Sequence, residues 1–242
     1  MNYTIIAEIG INWNGSMKLL KEMVFRAKDS GVDIAKTQLY DPSKLFPNKE
    51  VIVQGRNWYN EVEKTEMSFE QLSQFFEWCK EAEIEPMASA FDETRLQWLE
   101  MLGVHKHKIP SRMNQNIEYI KKVIDTGKEV IISFESKNVA RTFSNEKYNQ
   151  VSQIYCVPEY PTQLSDISLD ELLSFVGFSD HTQGIEASIF AMANSKDVEG
   201  EYIIEKHFKL SESDIGPDMI ISATPNEMKT LVHFARAFEE IQ

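Results

Sequence analysis

Cysteine is scarce in this chain: Cys79 sits inside a helical pattern, Cys156 ends an apolar run, and there is no third. Two thiols so placed build neither a disulfide framework nor a cysteine-based zinc site. Long apolar runs are missing too. No stretch reaches the eighteen or so apolar residues of a membrane-spanning helix, and the start MNYTIIAEIG lacks the charged segment and cleavage site of a secretory signal. These absences lead to the expectation of a cytoplasmic protein. Positive charge is in deficit: 25 Lys plus Arg stand against 38 Asp plus Glu, a net charge of −13. That balance argues against nucleic acid or an anionic membrane as a partner. An anionic small molecule would need a local cationic pocket. Nor does any low-complexity tract, linker or charge block divide the chain, so residues 1–242 are expected to form one domain.

What the sequence does contain is an alternation. Strand-length apolar runs occur at TIIAEIG, IAKTQLY, EPMASAF, HKIPS, EVIISF, SQIYCV, VGFSD and EYIIEKHF. Between them, helical spacing covers 16–30, 68–83, 92–101, 116–126, 169–175, 185–194 and 224–241. The last opens with Thr224-Pro225-Asn226-Glu227, a capping box with Pro at the first helical position. The fifth unit, SKNVARTFSNEKYNQ, has poor periodicity and reads mostly as loop. Eight strands alternating with helices imply parallel pairing, and 242 residues suit a closed α/β barrel, the (β/α)8 TIM barrel. An open doubly wound sheet is the alternative.

In such a barrel, chemistry gathers where the strands end and the following loops converge. Polar residues interrupt the apolar runs there: Glu8, Lys36, Gln38, Ser89, Lys108, Ser111, Ser133, Tyr155, Ser179, Asp180, His181, Glu205, Lys206 and His207. His181 and His207 end the seventh and eighth runs, and adjacent strands lie about 4.8 Å apart, so both imidazoles can reach one ion. Imidazole and oxygen donors admit Mn2+, Zn2+, Fe2+ or Co2+. Each histidine can equally satisfy a core hydrogen bond, and spacing leaves both readings open. Lys36 and Lys108 stand among apolar residues, where an unpaired ammonium is costly. With Ser89, Ser111 and Ser133 they would cradle a phosphate and a carboxylate on one small molecule, although each lysine can instead pair with a structural carboxylate. The Gly216-Pro217 turn would present Asp218 over the same mouth, or leave it a plain loop residue. Glu8, between Ala7 and Ile9, needs partners for a buried carboxylate. His105 and His107 precede the strand end and His233 lies in the last helix, which removes them from the site. The aromatics of FEQLSQFFEWCK follow helical spacing and are expected in the core.

AEIGINWNG, AKTQLYDPSKLFP, KIPS, CVPEYPT, GFSDHTQG and EKHFKLSESDIGPD resemble, in order and spacing, the motifs of sialic acid synthases and the related legionaminic and pseudaminic acid synthases. The resemblance covers nearly the whole chain. It implies condensation of phosphoenolpyruvate with an N-acylated hexose such as N-acetylmannosamine, giving a nonulosonic 2-keto-3-deoxy acid and phosphate. It further implies that His181 and His207 bind a divalent metal, typically Mn2+ with Mg2+ or Co2+ as alternatives. Lys36, Ser89, Lys108, Ser111, Ser133 and Ser179 would bind phosphoenolpyruvate. Glu8, Gln38, Tyr160 and Asp218 would surround the acceptor sugar or metal.

Three departures stand out. Met113 occupies the place of an acidic residue in KIPSRM, and a thioether transfers no proton. Pro158 replaces an Asn that contacts the sugar. The chain also stops after the eighth helix, where the family usually adds an antifreeze-like domain whose Arg reaches across a dimer. A homodimer, or a separate antifreeze-like domain protein, is the partner this leads one to expect. The same departures leave room for a different aldose acceptor, or for a subunit that binds phosphoenolpyruvate or metal without turnover.

Overall fold

A computed structural model of the protein describes residues 1–53, 55–143, 148–196 and 198–241. Eight strands form the barrel: β1 (Asn2–Gly10), β2 (Ile34–Leu39), β3 (Glu85–Ala90), β4 (Lys106–Ile109), β5 (Glu129–Phe134), β6 (Val151–Cys156), β7 (Gly177–Asp180) and β8 (Glu201–His207). Each pairs in parallel with the next in sequence, and β8 closes onto β1, so the open-sheet alternative is ruled out. The helices that follow are α1 (Met17–Asp29), α2 (Phe69–Ala82), α3 (Glu93–Leu102), α4 (Ile117–Ile124), α5 (Lys137–Ala140), α6 (Leu169–Leu172), α7 (Glu186–Ala193) and α8 (Pro225–Ile241). Local chemistry starts several of them. Ser68 and Gln71 form a capping box on α2, Asp92 caps α3, and Thr224 N donates to Glu227 Oε2 at 2.7 Å ahead of α8.

Strands buried on both faces read as continuous apolar runs, because helices cover the outside while side chains fill the inside. The outer core lies between strands and helices, where Ile5, Leu20, Phe75 and Leu231 are fully buried. Each such side chain contributes roughly 1.5–3 kcal/mol. Inside the barrel Ile6, Ile34, Met87, Ile131, Ile154 and Ile203 form one closed apolar layer. Strand alternation then dictates the layer above, two residues further along each strand: Glu8, Lys36, Ser89, Lys108, Ser133, Cys156, Ser179 and Glu205. The barrel thus changes from apolar to polar within one layer. Gly177 belongs to the lower layer because a Cβ there would meet the Ile203 carbonyl oxygen at 2.4 Å and Ile154 Cγ2 at 2.7 Å.

Three differences from the sequence reading have physical causes. The run 169–175 contains a helix only over Leu169–Leu172, since Leu173 and the residues after it turn directly into β7. Of the fifth unit, Lys137–Ala140 and the 3-10 turn Arg141–Phe143 are helical, and 144–147 lie outside the described residues. Between β2 and α2 the chain makes an excursion with two short helices (Pro42–Leu45, Trp58–Lys64) and a hairpin (Ile52–Val53 with Arg56–Asn57). The excursion packs Tyr40, Phe46, Tyr59 and Val62 onto Ile11 as a third cluster on the side where β1 and β2 end. Of the α2 aromatics, Phe75 is fully buried and Phe76 and Trp78 are partly so. No helix among the described residues is long and apolar enough to cross a membrane.

Candidate active site

Four strands carry a charge network into the polar layer. Lys36 Nζ lies 2.5 Å from Glu8 Oε2 and 3.4 Å from Glu205 Oε2, and donates to Ser89 Oγ at 3.2 Å. Lys108 Nζ donates to Ser133 Oγ at 2.8 Å and lies 3.7 Å from Glu205 Oε2. Ser179 Oγ donates to Glu205 Oε1 at 3.0 Å, and Gln38 Nε2 donates to Glu8 Oε1 at 2.7 Å. Lys36, Ser89, Lys108, Ser133 and Ser179 therefore converge, and carboxylates stand among them. Ser111 lies in the turn after β4, where its side chain partly offsets the burial that pushes the Cys156 thiol up.

All four charged groups are buried, so their protonation depends on one another. Burial pulls Lys36 down, but Glu205 and Glu8 together outweigh it and hold the ammonium above its usual range. Lys108 shifts the other way: burial outweighs the attraction of the Glu205 carboxylate. Burial would raise Glu205, yet Lys108 and Lys36 draw it down to about 2. Glu8 ends raised, by burial first and by the charge of Glu205. Glu205 is thus the ionised partner that both lysines share.

One layer higher the two histidines meet. The ring centroids of His181 and His207 are 5.5 Å apart, and both rings are buried. His181 Nδ1–H donates to the Val157 carbonyl at 2.9 Å, which leaves its Nε2 with the lone pair. Tyr160 stacks on His181 at 4.2 Å and meets His207 edge-on at 6.1 Å. Burial draws His181 down to about 4 and His207 well below its ordinary value, so both imidazoles are neutral, the form that ligates metals. Among the described residues His207 Nδ1 has no hydrogen-bond partner, and Asp218 Oδ2 lies 3.6 Å away. Burial, with the Glu8 charge second, pushes the Asp218 carboxyl up to about 7. Among the described residues no group of three or more His, Cys, Asp or Glu side chains is arranged to hold a metal. An orphaned imidazole nitrogen beside a second neutral imidazole fits an ion held by two protein ligands, with its other positions left to water and substrate.

The Asp of the SDHT run has a different task. Strand alternation turns Asp180 and Lys206 to the outer face, where Lys206 Nζ lies 3.3 Å from Asp180 Oδ1 and donates to the Thr182 carbonyl at 2.6 Å. Asp180 also accepts from Thr182 N at 2.8 Å and from Ser188 Oγ at 2.6 Å, which ties the end of β7 to α7 and β8. His107 faces α3 and hydrogen-bonds Glu100 at 2.7 Å, while His105 and His233 are exposed; none joins the pair. Sequence reasoning passed over two features. Glu205 reads in the sequence only as a polar interruption, although its place two residues before His207 puts it on the same face. Asn114 Nδ2 donates to Glu135 Oε2 at 2.6 Å and to the Ser133 carbonyl at 3.3 Å, a contact between two loops that no spacing announces.

The NeuB family profile matches residues 23–242. The N,N'-diacetyllegionaminic acid synthase of Legionella pneumophila is 32% identical over 100% of this chain and 73% of its own length. The N-acetylneuraminate-9-phosphate synthase of Drosophila melanogaster is 32% identical over 94% of this chain and 65% of its own. The crystal structure of an N-acetylneuraminic acid synthetase from Leptospira borgpetersenii superposes with a TM-score of 0.88 at 28% identity, covering 100% of this chain and 85% of that one. Barrel, site layers and sequence likeness agree: the chain belongs to the NeuB family, and the relatives it matches are synthases of legionaminic and sialic-type acids.

Proposed function

We propose that this enzyme condenses phosphoenolpyruvate with the open-chain aldehyde of an N-acylated hexose of the N-acetylmannosamine type, giving a nonulosonic acid and phosphate. The observation that carries this reading is the pair of buried ammoniums of Lys36 and Lys108 directly beneath the paired imidazoles, at the end of the barrel where the strands terminate. Lys36 and Lys108, with Ser89, Ser111, Ser133 and Ser179, hold the phosphate and carboxylate of phosphoenolpyruvate. Glu8, Gln38, Tyr160 and Asp218 flank the acceptor. His181 and His207 would hold a divalent ion, Mn2+ by first choice and Mg2+ or Co2+ as alternatives, which polarises a carbonyl oxygen when bound.

In the reaction C3 of phosphoenolpyruvate forms the new carbon–carbon bond with the aldehyde carbon, whose oxygen ends as a hydroxyl. Water then adds at C2, and the C2–O bond breaks with its electron pair leaving on phosphate. Glu205 and Glu8 hold the Lys36 ammonium above its usual range, so a positive charge faces the anion there. A cytoplasmic protein acting as a homodimer, or with a separate antifreeze-like domain protein, belongs to the same proposal.

Met113 supports a second reading, a subunit that binds phosphoenolpyruvate and metal but has lost turnover, because no carboxylate stands at that position. A third keeps the reaction and changes the aldose. The test is phosphate release from phosphoenolpyruvate with Mn2+ and a panel of aldoses, with the product read as a 2-keto-3-deoxy acid. Release with an N-acylated hexose supports the first reading, and release only with another aldose supports the third. Binding without release supports the second, and no binding of phosphoenolpyruvate or metal defeats all three.

A further inference from the structure

The carboxylates deep in the barrel mouth are already engaged. Glu8 Oε2 lies 2.5 Å from Lys36 Nζ, and Glu205 is shared by Lys36 and Lys108 at 3.4 Å and 3.7 Å. Asp218 stands beside His207, three strands away from β5. The turn after β4 (Ser111–Met113) brings none, since Met113 packs against the outer core and Arg112 stands over the Phe46 ring, 4.5 Å from its centroid. Glu135 remains. It follows the end of β5, is half-buried, and has no lysine or arginine partner among the described residues.

Strand alternation places it. His181 and His207 stand two residues beyond Ser179 and Glu205 of the polar layer, and Glu135 stands two beyond Ser133. It therefore continues the register of the histidine layer, on the strand whose Ser133 accepts from Lys108 at 2.8 Å. One side chain holds it there. Asn114 is buried, its backbone N donates to the Ser111 carbonyl at 3.1 Å, and its Nδ2 donates to Glu135 Oε2 at 2.6 Å and to the Ser133 carbonyl at 3.3 Å. The amide fixes Oε2 over the end of β5 and leaves Oε1 with no hydrogen-bond partner among the described residues. A neutral donor orients a carboxylate without tying it to a fixed positive charge, so the group stays able to accept a proton.

We propose that Glu135 is the general base for the water that adds at C2 of phosphoenolpyruvate, and that Asn114 positions it. The assignment rests on the synthase reading above, which puts phosphoenolpyruvate on Lys108 and Ser133. As the water oxygen bonds to the electron-poor C2, one of its protons passes to a Glu135 oxygen. Glu135 is open to water on one side and passes that proton to solvent, from which the alkoxide left by the aldehyde takes one. The second water proton leaves the new C2 hydroxyl when the C2–O bond to phosphate breaks, and the phosphate departs with that electron pair and a proton.

The test measures phosphate release from phosphoenolpyruvate with Mn2+ and a panel of aldoses in the native protein, Glu135→Gln, Glu135→Ala and Asn114→Leu, with phosphoenolpyruvate binding followed by calorimetry. Glu135→Gln keeps the size of the side chain and should lower kcat about 10²–10⁴-fold while phosphoenolpyruvate binds as in the native protein. Added formate should restore part of the rate to Glu135→Ala, because a small carboxylate fits the space left, and should not change the native rate. A side chain with only a structural role gives no such rescue. Asn114→Leu should lower kcat about tenfold, less than Glu135→Gln, with binding again kept; an unchanged rate removes the positioning role. Native release that Glu135→Gln leaves intact overturns the proposal while the synthase reading stands. So does a loss in which phosphoenolpyruvate binding disappears as well, or in which formate restores nothing. If the native protein releases no phosphate with any aldose, the synthase reading fails first and the proposal falls with it.

Discussion

His207 Nδ1 and Asp218 Oδ2 face each other at 3.6 Å, both buried, too far apart for a hydrogen bond. Among the described residues the imidazole nitrogen has no hydrogen-bond partner, which a core histidine avoids. If His181 and His207 are the two protein ligands of the proposed ion, neither can replace the other. His181→Ala and His207→Ala should each abolish Mn2+ binding measured by calorimetry, with the fold intact by circular dichroism. Full affinity in both variants would remove the shared metal site from consideration.

Of the two buried lysines of the polar layer, Lys108 has fewer carboxylate partners, since Glu205 lies 3.7 Å away while Lys36 has both Glu8 and Glu205. Lys108→Met should weaken phosphoenolpyruvate about tenfold or more while changing acceptor KM far less. Equal losses for both ligands would mark Lys108 as a purely structural partner of Glu205.

Met113 packs partly buried against the outer core, next to Asn114, which holds Glu135 at 2.6 Å. A missing general acid or base is worth roughly 10²–10⁴-fold in rate. We expect the native protein to release phosphate already, with Glu135 or bound water taking the proton, so that Met113→Glu brings little gain. A rise of the full 10²–10⁴-fold from a nearly inactive native protein would instead establish the degenerate reading.

His107, outside the site, sets a pH dependence of stability. Burial lowers its pKa below the ordinary 6.5 despite the opposing pull of Glu100. The unfolded chain then binds more protons than the native one as pH falls below 6.5, so stability present above that value drains away toward the depressed native pKa. Between pH 7.5 and 5.5 the thermal midpoint should fall more in the native protein than in His107→Gln; parallel curves would show that His107 titrates alike folded and unfolded.

The sequence by itself determined the architecture and the chemical types at the mouth of the barrel. Period-2 and period-3.6 patterns are local, and eight apolar runs alternating with helical spacing admit few closed arrangements. The same periodicity, counted two residues onward from Ile6, Ile34, Ile131 and Ile203, already names Glu8, Lys36, Ser133 and Glu205 as one layer. Tertiary structure alone decided which charges meet. Glu205 and Lys36 are 169 positions apart and Lys108 lies between them in sequence, so their 3.4 Å and 3.7 Å contacts arise from barrel closure and strand stagger. The lysines' choice between a bound anion and a structural carboxylate could not be read from spacing for that reason. Neither could the excursion after β2, whose Phe46 fixes Arg112 at the rim: its elements are too short for periodicity, and only packing against Ile11 and Tyr40 gives them a place.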